Sequence, residues 1–373
     1  MYSVEKIEDQ SGLKRFIKFP FSLFRDDPNW VPPLISDELT VFNPKKNPAF
    51  DHCEASYWMV TKDGVDAGRI AAIVHEQEAK DEKALRFGWI DFIDDPEVSR
   101  LLLEAAETWG RERGLTTMQG PLGFTDMDFE GMLVEGFEYP ATIATIYNYP
   151  YYPEHLEQLG YEKAIDWVEL RSEVPEESPR RLVRRAQMVE SRFKFKSVRL
   201  HSKKEAQKYG EELFDVLNRS YENLYGFHEL SPKQIQFYIG QYLGFVVPEL
   251  LSLVVNEEDK LIGFAITMPS LTSAFQKAKG KLFPFGFLHI LKAIRKNDIA
   301  DMYLIGVLPE YQKFGVTALI FRDLVQAYID RGIKVALTNQ MLETNYNVLQ
   351  QFNEFQESSE IYKRRRCFKK DIA

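Results

Sequence analysis

Residues 309–332 read PEYQKFGVTALIFRDLVQAYIDRG. From Thr317 onward, apolar residues recur at helical spacing until Gly332, which predicts an amphipathic helix closed by a glycine stop. The run before it, DMYLIGVL (301–308), has the apolar, β-branched character of a strand. Between strand and helix lies a loop with Gly315 near its end. Such a loop has two readings. It is an ordinary strand-to-helix turn, where glycine is common, or it is a binding element in which Gly315 lets a ligand come close to the backbone.

The rest of the second half extends outward from this unit. FKFKSVRL (193–200) reads as a strand and KKEAQKYGEELFDVLNRSYENL (203–224) as one helix. A second helix, SPKQIQFYIGQYL, starts at a Ser231 cap with Pro232 in its first turn. LLSLVV and LIGFAITM are strands around the EEDK turn at 257–260. After Gly332 come a strand IKVALTNQ, a short helix NYNVLQQFNEF (345–355) and a final strand IYKRRRCFKK (361–370). The first half repeats the order, its opening strand being the least defined. It has a helix over SGLKRFIKFPFSLFRDD, two strands around Asp63-Gly64, the strand LRFGWIDFI, and a helix from Pro96 capped by Asp95 and ended by Gly114. Then come TTMQGP, a short helix stopped at Gly160, and a strand through Trp167. Two halves with one order of elements are a stronger signal than any single element. The polar, proline-interrupted stretch SEVPEES (172–178) divides them near Pro175, giving expected domains 1–175 and 176–373.

Composition bounds the function. The chain has 373 residues, 45% hydrophobic and 28% charged, with 27 Phe and 18 Tyr, enough for two cores. A net charge of −9 argues against a nucleic-acid binder. Two cysteines, Cys53 and Cys367, make neither a disulfide framework nor a thiolate metal site, and the six histidines form no His-x-x-x-His pair, so no metal is expected. No long apolar run and no signal-peptide layout is present, and a cytoplasmic location is the default.

The element order together with Gln312, Gly315 and Thr317 resembles the GNAT superfamily of acyl-CoA-dependent N-acyltransferases. Its pattern is Gln or Arg, two residues, Gly, any residue, then Gly or Ala; Gln312 and Gly315 match, and Thr317 departs from it. The resemblance implies an α/β (α+β) fold of two GNAT-like domains, each a mixed, largely antiparallel sheet flanked by helices. It also implies acetyl-CoA or a longer acyl-CoA as co-substrate. The pyrophosphate would sit on the helix N-terminus formed by Gln312, Lys313, Phe314, Gly315, Val316 and Thr317. The thioester carbonyl would lie against the backbone at Ile305 and Val307, and Asn345 or Asn347 fits the family's Asn after the fifth strand. The family's Tyr about seven residues on is Phe352 here, which leaves Tyr346 or Tyr362 as proton donor by proximity. The first half has DDPEVS (94–99) at the corresponding loop. Its carboxylates would repel a pyrophosphate, so this half is expected to lack the CoA loop. The stretches DDPNWVPPL, QGPLGFTDMDFEGMLVEGF and YNYPYYPEHLEQLGYEK look like a bacterial group of tandem GNAT-like proteins.

Other features carry two readings each. The loop QGPLGFTDMDFEGMLVEGF is a surface connection, or its Asp126, Asp128 and Glu130 hold or deprotonate a substrate amine. Tyr147, Tyr149 and Tyr151 form a rigid connection or a pocket wall. Glu343 caps a helix or acts as base. An insertion at about 270–300 carries Leu288, Leu291 and Ile294 at helical spacing among Lys277, Lys279, Lys281, Lys292, Arg295 and Lys296. It is a helix packed on the other domain or an interfacial segment. The basic helix RRLVRRAQMVESRFKFK (180–196) reads as solvated. The expected activity is acyl transfer to a small-molecule or lipid amine held between the domains. The alternatives are a non-catalytic GNAT-fold binding protein and a membrane-peripheral protein; no nucleic acid partner is expected, and the oligomeric state is open.

Overall fold

The computed structural model describes residues 1–242, 244–345 and 359–373. In chain order the elements are β1 (Tyr2–Lys6), α1 (Gln10–Leu23), α2 (Ile35–Val41), β2 (Cys53–Lys62), β3 (Val65–His75), α3 (Glu76–Asp81), β4 (Ala84–Phe92), α4 (Pro96–Arg111), β5 (Thr117–Gly120), β6 (Met132–Glu135), α5 (Tyr151–Gln158) and β7 (Glu162–Glu173). They continue as α6 (Arg180–Phe193), β8 (Lys196–Val198), α7 (Lys203–Lys208), α8 (Gly210–Tyr221), α9 (Pro232–Tyr242), β9 (Leu251–Val255), β10 (Leu261–Pro269), α10 (Thr272–Ala278) and α11 (Gly286–Arg295). The last are β11 (Ile299–Val307), α12 (Val316–Arg331), β12 (Val335–Thr338), β13 (Met341–Leu342) and β14 (Ser359–Asp371). The fold is α/β, and the chain forms two compact units. Unit 1 is Met1–Val168, Phe275–Phe287 and Lys363–Ala373; unit 2 is Glu169–Ala274 and Leu288–Tyr362.

In unit 1, β1, β2, β3 and β4 pair antiparallel in sequence order and β4 pairs β5 in parallel. Phe368–Asp371 of β14 closes the sheet antiparallel to β5. The Asp63-Gly64 turn has both residues at positive φ, which suits the right-handed twist of a two-residue hairpin. Helix α4 starts where expected. Pro96 occupies the first turn, the Asp95 carboxylate accepts from the Glu97 N–H at 3.0 Å, and Val98, Leu102 and Ala106 form its buried stripe. On α1, Phe16, Ile17 and Phe19 pack with Phe42, Met59 and Ala71 in one apolar cluster.

In unit 2, β8, β9, β10 and β11 pair antiparallel and β11 pairs β12 in parallel. Arg171–Glu173 of β7 closes this sheet antiparallel to β12. Helix α12 buries Leu319, Ile320 and Leu324 and ends at Gly332 with φ 70°, as its sequence requires.

Two details differ from the sequence-based expectation. The single helix over 203–224 is two, α7 and α8, meeting at Tyr209 and Gly210. At Gly210 a Cβ would stand 2.9 Å from Ile239 Cδ1 of α9, so close helix packing favours glycine there. The closing strands are also exchanged. The strand through Trp167 sends its last residues into the sheet of unit 2, and the chain's final strand closes the sheet of unit 1. The expected helix 345–355 lies outside the described residues apart from Asn345.

Candidate functional site

The parallel strands β11 and β12 pair only over Ile299–Met302 and Val335–Thr338. Past Met302, β11 has no strand partner on that edge among the described residues. A register shift between Ile266 and Thr267 leaves Tyr303 as the extra residue of a bulge. The carbonyls past the bulge are taken by side chains: Tyr221 Oη donates to Ile305 O at 3.1 Å and Gln312 Nε2 donates to Val307 O at 3.3 Å. In an extended strand the N–H and C=O of one residue face the same edge. Ile305 and Val307 therefore present their N–H groups to the side that β12 has left.

The strand leads into a 3-10 turn, Pro309–Phe314, and then into α12. Gly315 sits at φ 78°, in the left-handed region, and its missing Cβ would lie 3.1 Å from Val189 Cγ2 on α6. Both facts make glycine the fitting residue. The N-cap residue Gly315 offers no side-chain cap to α12, and the first turn of the helix holds no acid. The helix dipole and the first-turn amides of Val316 and Thr317 thus meet no carboxylate of their own helix, the arrangement that suits an external anion. Around them Phe314 packs on Phe193 with ring centres 5.0 Å apart, Lys313 lies over the Phe314 ring at 5.6 Å, and Gln312 and Lys313 are exposed. The structure thus brings Ile305, Val307 and residues 312–317 together in one strand–turn–helix junction.

The corresponding junction of unit 1 is internally satisfied. Strands β4 and β5 also pair for three residues only, Ala84–Arg86 with Thr117–Gln119, and β4 also bulges, between the pairs Arg69–Asp91 and Ala71–Gly88. Here the open edge is filled. The Phe92 N–H donates to Tyr152 Oη at 3.0 Å, and Tyr151 Oη donates to the Phe92 carbonyl at 2.7 Å. The first turn of α4 is covered by Asp95, which also accepts from Lys62 Nζ at 2.7 Å and Tyr2 Oη at 2.9 Å. The Lys62 hydrogen bond leads in holding the Asp95 carboxyl below its ordinary range.

Unit 1 instead has a pocket, whose polar wall includes Glu38, Arg69, Asp91 and Asn148 and whose apolar wall includes Trp30 and Phe129. Arg69 and Asp91 form a buried pair at 2.7 Å, and Arg69 also donates to the Phe16 carbonyl at 3.0 Å. The Glu38 Oε2 accepts from Trp89 Nε1 at 3.1 Å. Burial pushes the Glu38 carboxyl up to about 7 against the pull of Arg69 and the Trp89 hydrogen bond. Burial raises the Asp91 carboxyl as well, against the pull of Arg69. Sequence reading missed this group. Its available signal was Arg69 and Asp91, two charges set inside the apolar runs AGRIAAIV and FGWIDFI.

The other expected site residues occupy separate positions. Asp128 accepts from the Phe124 and Thr125 N–H groups at 2.9 and 3.1 Å, so it closes its own loop; burial lifts its carboxyl to about 6. Asp126 and Glu130 lie in the same loop, both half-buried. Tyr147 Oη donates to Asp27 Oδ2 at 3.1 Å, Tyr149 Oη to Leu23 O at 3.4 Å and Tyr151 Oη to Phe92 O. Of these three tyrosines, Tyr147 lines the pocket. Glu343 and Asn345 sit in the turn after β13, where the Asn345 N–H donates to Leu342 O at 2.9 Å. Tyr362 Oη donates to the buried Glu169 carboxylate at 3.1 Å. Tyr346, Asn347 and Phe352 lie outside the described residues. Among the described residues a phenol does reach the open edge of β11: Tyr221, which the sequence did not single out. Among the described residues no group of three or more His, Cys, Asp or Glu side chains is placed to hold a metal.

No protein-family model matches the chain. It is 31% identical to protein YghO of Escherichia coli (strain K12), over 98% of this chain and 94% of that protein. It is 29% identical to the bacterial ceramide synthase of Caulobacter vibrioides, over 83% and 81%. A solved tandem GNAT protein from the clavulanic acid biosynthesis pathway superposes on 100% of this chain and 99% of its own, with a TM-score of 0.57 at 11% identity. The chain therefore belongs to the family of protein YghO, and its fold is the tandem GNAT fold.

Proposed function

We propose that the chain is an acyl-CoA-dependent N-acyltransferase whose donor site is the β11–α12 junction of unit 2. The observation that carries this reading is the uncapped N-terminus of α12 after the left-handed Gly315. The amides of Gly315, Val316 and Thr317 would bind the pyrophosphate, and the Thr317 hydroxyl adds a donor beside them. The N–H groups of Ile305 and Val307 would hold the pantetheine arm and polarise the thioester carbonyl. Tyr221, at the same edge, is assigned to protonate the leaving thiolate, and Glu343 to take the proton from the amine. An amine held against the thioester attacks directly, so positioning supplies much of the rate. One relative is named a ceramide synthase, and a ceramide is an N-acylated long-chain amine. A long-chain amine is accordingly the acceptor class proposed here.

Calorimetric titration with CoA, acetyl-CoA and palmitoyl-CoA tests the donor site. Thr317→Glu places a carboxylate in the first turn of α12. That position favours a negative charge for helix stability while opposing a bound pyrophosphate. The expected result is saturable binding to the native chain and affinity lower by on the order of 100-fold in the variant, about 2.7 kcal/mol, with an unchanged melting temperature. No binding of any CoA species to the native chain would contradict the proposal and leave a GNAT-fold binding protein.

A further inference from the structure

We propose that the segment from Lys277 to Lys296 is a docking surface for an anionic phospholipid bilayer. Four large apolar side chains stand in solvent within nine residues: Phe283 is 76% exposed, Phe285 69%, Leu288 50% and Leu291 57%. Leu288 and Leu291 lie one turn apart on α11, while Ile290 on its other side is buried. The two phenylalanines immediately precede the helix. Exposed apolar side chains scattered singly are ordinary, but a cluster of this kind marks an interaction surface.

The cluster is rimmed by positive charge. Lys277, Lys279, Lys281, Lys292, Arg295 and Lys296 flank it, and no Asp or Glu occurs between 271 and 297, in a chain whose net charge is −9. All six are exposed. Aromatic and aliphatic groups at the centre with cations around them match the acyl boundary and the anionic headgroups of a bilayer surface. No helix among the described residues is long and apolar enough to cross a membrane, so the contact would be peripheral.

The turn that presents the phenylalanines is built, not loose. Gly280 has φ 77°, and a Cβ there would stand 2.5 Å from Phe21 Cε1; its carbonyl accepts from the Ile35 N–H at 3.0 Å. At Gly286 a Cβ would fall 2.0 Å from the Lys281 carbonyl oxygen, and the Phe287 N–H donates to Leu282 O at 2.8 Å. A fixed backbone therefore holds Phe283 and Phe285 outward, which lowers the ordering cost of insertion. A second copy of this face fits poorly, because a two-fold contact sets each patch against its own kind and would bring six cations against six.

The test is co-sedimentation of the intact chain with vesicles of phosphatidylcholine alone and of phosphatidylcholine mixed with phosphatidylglycerol, at physiological salt. Two variants are compared: Phe283→Ser with Phe285→Ser, and Lys292→Glu with Lys296→Glu. All four side chains are exposed, and circular dichroism checks the fold. The expected result is binding to the phosphatidylglycerol vesicles that falls on the order of tenfold without the anionic lipid, with high salt, and in each variant. No sedimentation, equal binding to both vesicles, or variants that bind like the native chain would overturn the proposal. So would a concentration-dependent dimer that both variants abolish, which would assign the face to a second copy.

Discussion

The two strand-to-helix junctions share a plan and differ in what fills them. In both units a parallel strand pair opens after three or four residues, and the longer strand bulges beside the opening. In unit 1 the chain satisfies itself there: Tyr151 and Tyr152 take the backbone of Phe92, and Asp95, Lys62 and Tyr2 close the first turn of α4. In unit 2 the corresponding N-cap is Gly315, which has no side chain to close the first turn of α12. In the proposed reading the same topology serves as a filled, stabilising joint in one place and as an open anion site in the other. The difference lies in a few side chains, chiefly Asp95 against Gly315.

If the joint of unit 1 is structural, breaking it should cost stability. The largest effect is expected at Arg86, which pairs with Glu78 at 2.6 Å and holds the Gly123 carbonyl at 3.1 Å, beside Leu122, whose N–H donates to the Phe87 carbonyl of β4 at 2.8 Å. Both partners are buried. Arg86→Ala would strand a buried carboxylate, at a cost of about 3–5 kcal/mol, read from urea unfolding.

A smaller effect is expected from Glu38. Burial raises its carboxyl to about 7 in the folded state, above the ordinary 4.5 of a glutamate. The folded state therefore holds the extra proton between those values, and stability falls as pH rises through this window. The contribution is about 3 kcal/mol. Glu38→Gln keeps an acceptor for Trp89 and should flatten the difference between unfolding curves at pH 4.5 and pH 7 by on the order of that amount. An unchanged pH dependence would show that Glu38 does not titrate in this window.

The smallest effect belongs to Asp95. Asp95→Ala removes a helix cap and should cost about 1 kcal/mol. Because the Asp95 pKa is lowered, its contribution is present at neutral pH and fades as pH falls into the acid range. Removing it should not create CoA binding in unit 1, since Tyr151 and Tyr152 still fill the strand edge.

Much of this was legible in local sequence. Asp95-Pro96 announced the start of α4, Gly332 the end of α12, and Asp63-Gly64 a hairpin, because each acts through its own backbone. The exchange of closing strands was not legible. Alternation in β7 and β14 shows that they are strands, but pairing partners are set by long-range packing. The pocket of unit 1 escaped for the same reason. Glu38 in SDELT looks like a solvated helix residue, and Arg69 meets Asp91 only through the register of β3 on β4. At the β11–α12 junction Gly315 was readable from its place between strand and helix. Tyr221 was not, since nothing in NRSYENL says that its hydroxyl reaches the Ile305 carbonyl.

The most direct test of the difference between the two junctions is hydrogen–deuterium exchange of the intact chain with and without a saturating acyl-CoA. The account predicts protection in peptides covering 303–319 and none in those covering 87–99. Protection over 87–99 with none over 303–319 would contradict it and assign the donor to unit 1.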